Sequence, residues 1–172
     1  ADLETIRGKN LDVIVRLGFR ILRGKVLSVA KYGIWSFHHG DNFVNRGGPP
    51  GFWETMEGWS ETGSILQILS EDVDNGTVLS RSYSCTYFNS VSDNKSNYYW
   101  KSAAFIPRKL RELHRDGGEA FMAKVAAENV DPVLYSQRLY RNPNNVEYFK
   151  LVASKLLSKV VAYVRARVLI EQ

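Results

Sequence analysis

Between residues 11 and 86, short runs rich in β-branched and aromatic residues alternate with breaks rich in glycine, proline and aspartate. That alternation restricts the fold more than any other feature of the sequence. "LDVIVRLGF" (11–19) reads as a buried strand. "RGKVLSVAKY" (23–32) reads as a short helix with Val26, Leu27 and Ala30 on one face. "GIWSFHHG" (33–40) is the next strand. "GGPPGFWETMEGW" (47–59) opens on breakers and continues into helix formers, with Pro49 or Pro50 suited to a first helical turn. "TGSILQILS" (62–70) and "GTVLSRSYSCT" (76–86) read as strands joined through "EDVDNG", where Asp-Asn-Gly is a turn signal. Strand and helix in succession argue for an α/β sheet.

"YFNSVSDNKSN" (87–97) reads as a polar loop, and from Tyr98 onward the pattern becomes helical. "WKSAAFIPRKLRELHRDGG" (100–118) is amphipathic, interrupted at Pro107 and closed by Gly117-Gly118. "EAFMAKVAAE" (119–128) is a further helix, and a long one runs from 142 to 170. Phe149, Val152, Leu156, Val160 and Val164 form its apolar stripe, which is expected to be core or a partner seam. The chain enters a strand almost at once and stops in a helix without an obvious cap. It therefore reads as a piece of a longer protein, and the edge of the 11–19 strand is expected to be open or covered by a partner.

Length and composition narrow the class. The 172 residues suit one compact domain, and 44% hydrophobic with 24% charged residues is a globular balance. No apolar run approaches the roughly 20 residues of a membrane span, and "ADLETIRGKN" carries no apolar leader segment. The single cysteine, Cys85, excludes an internal disulfide and any multi-cysteine metal cage, and agrees with a reducing, cytoplasmic setting. Lys and Arg exceed Asp and Glu by 23 to 18, a net +5 that a solvated surface explains without invoking a polyanionic partner. No membrane contact and no nucleic acid are expected.

"SFHHGDNFVNRGGPPGFWE" (36–54) concentrates the residue types of a functional site. His38 and His39 are adjacent on a strand, so their side chains leave by opposite faces and cannot easily share one ion. With Asp41 they still make a poor zinc site, so no metal is expected. A phosphate cradle needs backbone N–H groups at a helix start, and Pro49 and Pro50 have none, though Arg46 could contact a small anion. The third reading places His38 near the carboxyl end of its strand, where chemistry gathers in open α/β sheets. Glu71, Asp72 and Asp74 in the 71–76 turn could then set a carboxylate beside the imidazole and hold its orientation. A packed core histidine and ordinary turn acids are the plainer alternative.

These stretches resemble the catalytic core of the formyltetrahydrofolate-dependent formyltransferases, the family of the methionyl-tRNA, glycinamide ribonucleotide and nucleotide-sugar enzymes. The family strand ends in Asn-x-His-Pro-Ser, and its histidine falls on His38. The Arg-Gly-x-x-Pro segment falls on Arg46 to Pro50, the Thr-Gly on Thr62 and Gly63, and the aspartate of Asp-x-Gly on Asp74. Upstream, "VIVRLGFRIL" resembles the strand and loop that line the folate pocket. The resemblance spans about residues 11–80 and departs in three places. Ser36 stands where the family has the asparagine that holds the oxyanion, His39-Gly40 replace Pro-Ser, and the pocket loop carries Phe19 and Arg23 where glycine and proline are common.

The resemblance implies a formyltransferase-like open sheet, a partial Rossmann-like core over 1–97 lacking its first βαβ portion, with a helical extension over 98–172. It implies 10-formyltetrahydrofolate as donor and a primary amine as acceptor, an amino sugar or other small metabolite being preferred to tRNA. His38 would stabilise the intermediate and relay protons, Asp74 would orient it, and Ser36 would be a short oxyanion donor. Gly18, Phe19, Arg20, Ile21, Leu22 and Asp72 would form the donor pocket, and Arg46, Gly47 and Gly48 would contact the acceptor. The same pair would serve a formyltetrahydrofolate hydrolase, and with Ser36 in place of asparagine the domain could instead be a folate-binding or interaction module. A homodimer could form through the open sheet edge or the C-terminal helix.

Overall fold

The computed structural model describes residues 2–18, 20–129 and 139–170. Its centre is a four-stranded mixed sheet in the order β1-β2-β4-β5, from β1 (Ile14–Arg16), β2 (Ile34–His38), β4 (Glu61–Ile68) and β5 (Thr77–Cys85). A short helix, α1 (Asp2–Arg7), precedes β1. β1 runs parallel to β2, with Arg16 opposite Ser36, and β2 runs antiparallel to β4. Sequence reading extends β1 over 11–19, but the strand is only three residues long, and among the described residues it pairs with β2 alone. The stretch expected as a helix over 23–32 is a single 3-10 turn at Gly24–Ser28. β4 and β5 form the hairpin that the Asp-Asn-Gly turn predicts, with a register irregularity at Leu66/Gln67.

Strand alternation sorts the sheet into two faces. Trp35, Leu66 and Leu79 turn to one side and pack with Phe105 and Leu113 of α4 (Phe105–Asp116) and Phe121 and Val125 of α5 (Gly118–Glu128). Each such side chain fully removed from water contributes about 1.5–3 kcal/mol. Ser36 and His38 take the opposite face of β2, with Gln67 and Ile65 as their register partners on β4. The functional face is therefore the one that α4 and α5 leave uncovered.

Two further segments flank the sheet. β3 (Arg46–Gly47) pairs in parallel with β6 (Leu139–Tyr140), and α2 (Phe52–Glu57) follows at once, packing Phe52 and Trp53 against Tyr140. α3 (Val91–Ser102) begins inside the stretch expected as a polar loop, because Ser90 caps it: its hydroxyl accepts from the Asp93 N–H at 3.1 Å. Pro107 does not interrupt a helix, since α3 has already ended and the proline sits in the first turn of α4.

α6 (Asn145–Ile170) corrects the expectation of a core stripe. Leu151 packs against the α2 cluster and Lys155 donates to the Thr55 carbonyl at 2.7 Å, but Phe149, Leu156, Val160 and Val164 are each more than half exposed. Among the described residues the stripe is therefore not core, and the expectation of a partner seam stands open.

Gly63 explains the Thr-Gly pair of β4 in physical terms. A Cβ there would come within 2.7–2.9 Å of the Asp41 backbone and its Cβ, so only glycine lets the post-His38 loop cross the strand. Gly63→Ala is expected to cost about 1–3 kcal/mol, the usual penalty of overpacking a fixed backbone. A lower denaturant midpoint at unchanged slope is the predicted reading, and an unmoved midpoint would contradict the crossing.

Candidate active site

His38 closes β2 and is 6% exposed, with both ring nitrogens engaged. Nδ1 lies 3.2 Å from Asp74 Oδ2, and Nε2 lies 2.6 Å from the Asn45 carbonyl oxygen. Both partners are acceptors, so the doubly protonated ring satisfies both contacts at once. Asp74 reaches the histidine because its own backbone adopts φ +52°, a left-handed conformation that aspartate tolerates in tight turns. Its carboxylate is pinned from two further directions: Gly47 N–H donates to Oδ2 at 2.8 Å and Gln67 Nε2 to Oδ1 at 3.4 Å. Gln67 Oε1 in turn accepts from Gly76 N–H at 2.9 Å, so one side chain ties both ends of the hairpin turn.

The pair borders a cavity of about 380 Å³. Its wall combines the end of β1 (Arg16) and the loop after it (Ile21, Leu22), the end of β2 (Phe37, His38) with His39 just beyond, the end of β3 (Gly47) and the loop before α2 (Gly48, Pro50), and the turn from Leu69 to Asp74. The volume lies within the roughly 300–1,000 Å³ of small-molecule clefts. Among the described residues its lining includes three acids, Glu71, Asp72 and Asp74, and one guanidinium, Arg16. Glu71 also closes the pocket loop by accepting from Gly24 N–H at 2.9 Å.

The candidate residues divide unevenly. His38, Asp74, Ile21, Leu22, Asp72, Gly47 and Gly48 line the cavity. Gly18 and Arg20 do not, although the Arg20 carbonyl accepts from Arg16 Nε at 3.3 Å; Phe19 lies outside the described residues. Arg46 does not line it either and binds the turn instead, donating from Nη2 to Asn75 Oδ1. Gly47 is also fixed by packing, because its φ is +91° and a Cβ there would collide with the Tyr140 carbonyl. Ser36 is buried away from the cavity wall, and its hydroxyl accepts from Arg16 Nη1 at 3.0 Å.

Sequence reading missed Arg16, Asn45 and Glu54. Arg16 could be found only by pairing β1 with β2 in register, which brings it opposite Ser36. Asn45 and Glu54 carry no motif signal. Asn45 Nδ2 donates to Glu54 Oε1 at 2.9 Å, and both side chains are buried. Among the described residues, no group of three or more His, Cys, Asp and Glu side chains is placed to hold a metal ion.

His39 is a separate matter from His38. Its ring stacks on Tyr98 at 4.6 Å between centroids, and Nδ1 lies 3.0 Å from Ser64 Oγ. Burial, with His38 beside it, pulls its pKa down to about 4. The folded state therefore resists protonation of His39 while the unfolded chain takes the proton near pH 6.5. Stability from this source is complete above pH 6.5 and is lost as pH falls toward about 4. His39→Asn is expected to flatten the stability–pH curve over that window by about 2–3 kcal/mol, read by denaturant titration at several pH values. An unchanged curve would place the titration elsewhere.

The site defines a class: an open α/β sheet whose strand end delivers a histidine to a turn carboxylate over a small-molecule cavity. No family model matches the chain. Methionyl-tRNA formyltransferases of Prochlorococcus marinus and Chlorobium chlorochromatii are 39% and 37% identical to it over 75 and 76 residues. Those matches cover 43% and 44% of this chain but only 22% and 24% of the relatives' length. Among solved structures, the formyltransferase PseJ from Anoxybacillus kamchatkensis, in complex with UDP-4,6-dideoxy-4-formamido-L-AltNAc and tetrahydrofolate, superposes with a TM-score of 0.51 at 16% identity. That superposition covers 83% of this chain and 70% of PseJ. Glycinamide ribonucleotide transformylase 1 from Symbiobacterium toebii gives a TM-score of 0.50 at 18% identity, over 80% and 61% of the two chains. These two structures share the fold. Together these likenesses support a formyltransferase-family domain over the part of the chain they cover.

Proposed function

We propose that this domain takes 10-formyltetrahydrofolate in the 380 Å³ cavity and moves the formyl group to a primary amine, with His38 and Asp74 as the acid–base pair. The observation that carries this reading is the 3.2 Å contact of His38 Nδ1 with Asp74 Oδ2 on the cavity wall. Ile21, Leu22 and the turn around Asp72 form the apolar and backbone wall for the pterin, with Gly18 and Arg20 shaping the loop behind them. Gly47 and Gly48 leave the acceptor's approach open, and Arg46 steadies the turn.

In the reaction the amine nitrogen bonds to the formyl carbon, the bond from that carbon to the folate N10 breaks, and one proton passes from the amine to N10. Both His38 nitrogens lie on protein oxygens, so the Asp74 carboxylate takes that proton in transit and His38 shares the charge through the Nδ1 contact with Oδ2. Charge develops on the formyl oxygen and needs donors. The Ser36 hydroxyl accepts from Arg16 Nη1 at 3.0 Å and turns its own proton to the Phe37 carbonyl at 3.4 Å, and it does not line the cavity. The oxyanion role therefore passes to the Arg16 guanidinium, with Ser36 fixing its direction.

The acceptor is a small amine, an amino sugar being preferred, since the acids at 71, 72 and 74 attract a cationic or amino-bearing group. The engaged Ser36 hydroxyl favours two further readings: water replaces the amine and formate leaves, or the domain binds folate without turnover. No helix among the described residues is long and apolar enough to cross a membrane, and we place the activity in the cytoplasm, where Cys85 stays reduced. Calorimetric titration of the chain with 10-formyltetrahydrofolate tests the binding half, with saturable one-site binding expected. No binding, in this chain and in one extended at its N-terminus, would remove folate from the account.

A further inference from the structure

Beneath the cavity lies a polar cluster that the proposed chemistry does not use. Glu54, on α2, is 1% exposed, and its Oε1 accepts from Asn45 Nδ2 at 2.9 Å. The Asn45 main-chain carbonyl is the group that receives His38 Nε2 at 2.6 Å. Three buried oxygens nearby have no hydrogen-bond partner among the described residues: Glu54 Oε2, Asn45 Oδ1 and the Tyr98 hydroxyl. Leaving such groups unpaired is costly, so their survival in one cluster calls for a role.

A carboxylic acid and a primary amide can pair twice, through N–H to C=O and through O–H to C=O. Asn45 Nδ2 to Glu54 Oε1 is the first half of that pairing, and the two orphaned oxygens, Glu54 Oε2 and Asn45 Oδ1, are the components of the second. A proton on Glu54 Oε2 supplies the missing donor. Burial pushes the Glu54 carboxyl up, with nearby Glu57 adding to the rise and Asn45 and the Glu54 backbone opposing it.

We propose that Glu54 is a positioning residue for His38: its carboxyl locks the Asn45 side chain, and so holds the Asn45 carbonyl where it takes the imidazole Nε2–H and aims Nδ1 at Asp74. The logic is geometric. The residues between His38 and Arg46 form a loop, and a carbonyl in a loop is a loose acceptor unless its own residue is anchored. The Asn45 N–H donates to the Asp41 carbonyl at 2.6 Å within the loop, and α2 provides the second anchor, because the packing of Phe52 and Trp53 against Tyr140 fixes the helix that carries Glu54. Asp74 orients the ring from one side, and Glu54, acting through Asn45, orients it from the other.

The consequence for catalysis rests on the formyl-transfer reading, but the positioning itself does not. The test follows the His38 Nε2–H proton by 15N-edited NMR of the full chain, with circular dichroism and thermal melts to confirm folding. Glu54→Gln retains an acceptor for Asn45 Nδ2 and offers an N–H to Asn45 Oδ1, so it is expected to keep the Nε2–H resonance and its protection. Glu54→Met removes both contacts, and the proton is expected to exchange about tenfold faster or more. Asn45→Ala deletes the same link from the other side and is expected to do the same. Where turnover is measurable, Glu54→Met should lower kcat about tenfold with the donor KM changed by less than about twofold. Equal protection in Glu54→Met and wild type would overturn the proposal, as would equal loss in Glu54→Met and Glu54→Gln. Loss of cooperative melting in both Glu54→Met and Asn45→Ala would also overturn it, since Glu54 would then serve the fold alone. Absence of turnover in wild type would count against the formyl-transfer reading, while the exchange data would still decide this one.

Discussion

His38→Ala is expected to lower turnover of 10-formyltetrahydrofolate by about 10²–10⁴-fold, the range for loss of a positioned acid–base group. Affinity for the donor should change by less than about twofold, because the pocket loops supply ground-state contacts while His38 acts on charge that develops later. The division follows from the geometry. His38 is almost buried, both its nitrogens are held by protein oxygens, and its contribution to the cavity is one edge among many. Single-turnover assay beside calorimetric titration separates the two quantities. Equal loss of binding and rate would make His38 a wall residue only.

Arg16→Ala is expected to lower kcat by about 10²–10³-fold, the cost of removing one oxyanion donor. Among the described residues Arg16 is the Lys or Arg side chain that lines the cavity, and two of its contacts hold it in place: Nη1 donates to Ser36 Oγ and Nε to the Arg20 carbonyl. Arg16→Lys keeps the charge but not the fork, so one ammonium cannot make both directed contacts and also face the substrate. It should recover only part of the loss. Ser36→Ala, which frees Arg16 to drift but leaves the guanidinium in place, should cost less than Arg16→Ala. The reverse ranking would return the oxyanion role to the serine hydroxyl.

The pairing of His38 with Asp74 was legible because both sit at punctuation points. One closes a strand, and the other stands in an Asp-Asn-Gly turn whose hairpin geometry follows from its own residues. Ser36 could be located but its state could not. That its hydroxyl is taken by Arg16 depends on the parallel register of β1 and β2, twenty positions apart and invisible to local pattern. Asn45 and Glu54 were missed for a related reason, since a buried polar pair has no periodicity and resembles loop and helix surface in sequence. The start of α3 was readable in principle. Ser90 and Asp93 stand at capping positions, and the polarity of the segment outweighed that signal. The apolar stripe of α6 shows the limit of amphipathic reasoning: the periodicity identifies a helix correctly, but burial depends on what the rest of the fold places against it.

The central claim is that the cavity beside His38 and Asp74 passes a formyl group from a folate to an amine. Incubation of the chain with 10-formyltetrahydrofolate labelled with 13C at the formyl carbon, together with a panel of amino sugars, reads this in one spectrum. The account predicts that the formyl resonance of the donor is replaced by that of an N-formylated amine, at a rate that falls with His38→Ala. A donor resonance that persists unchanged in the presence of every amine, or that gives labelled formate alone, would contradict it.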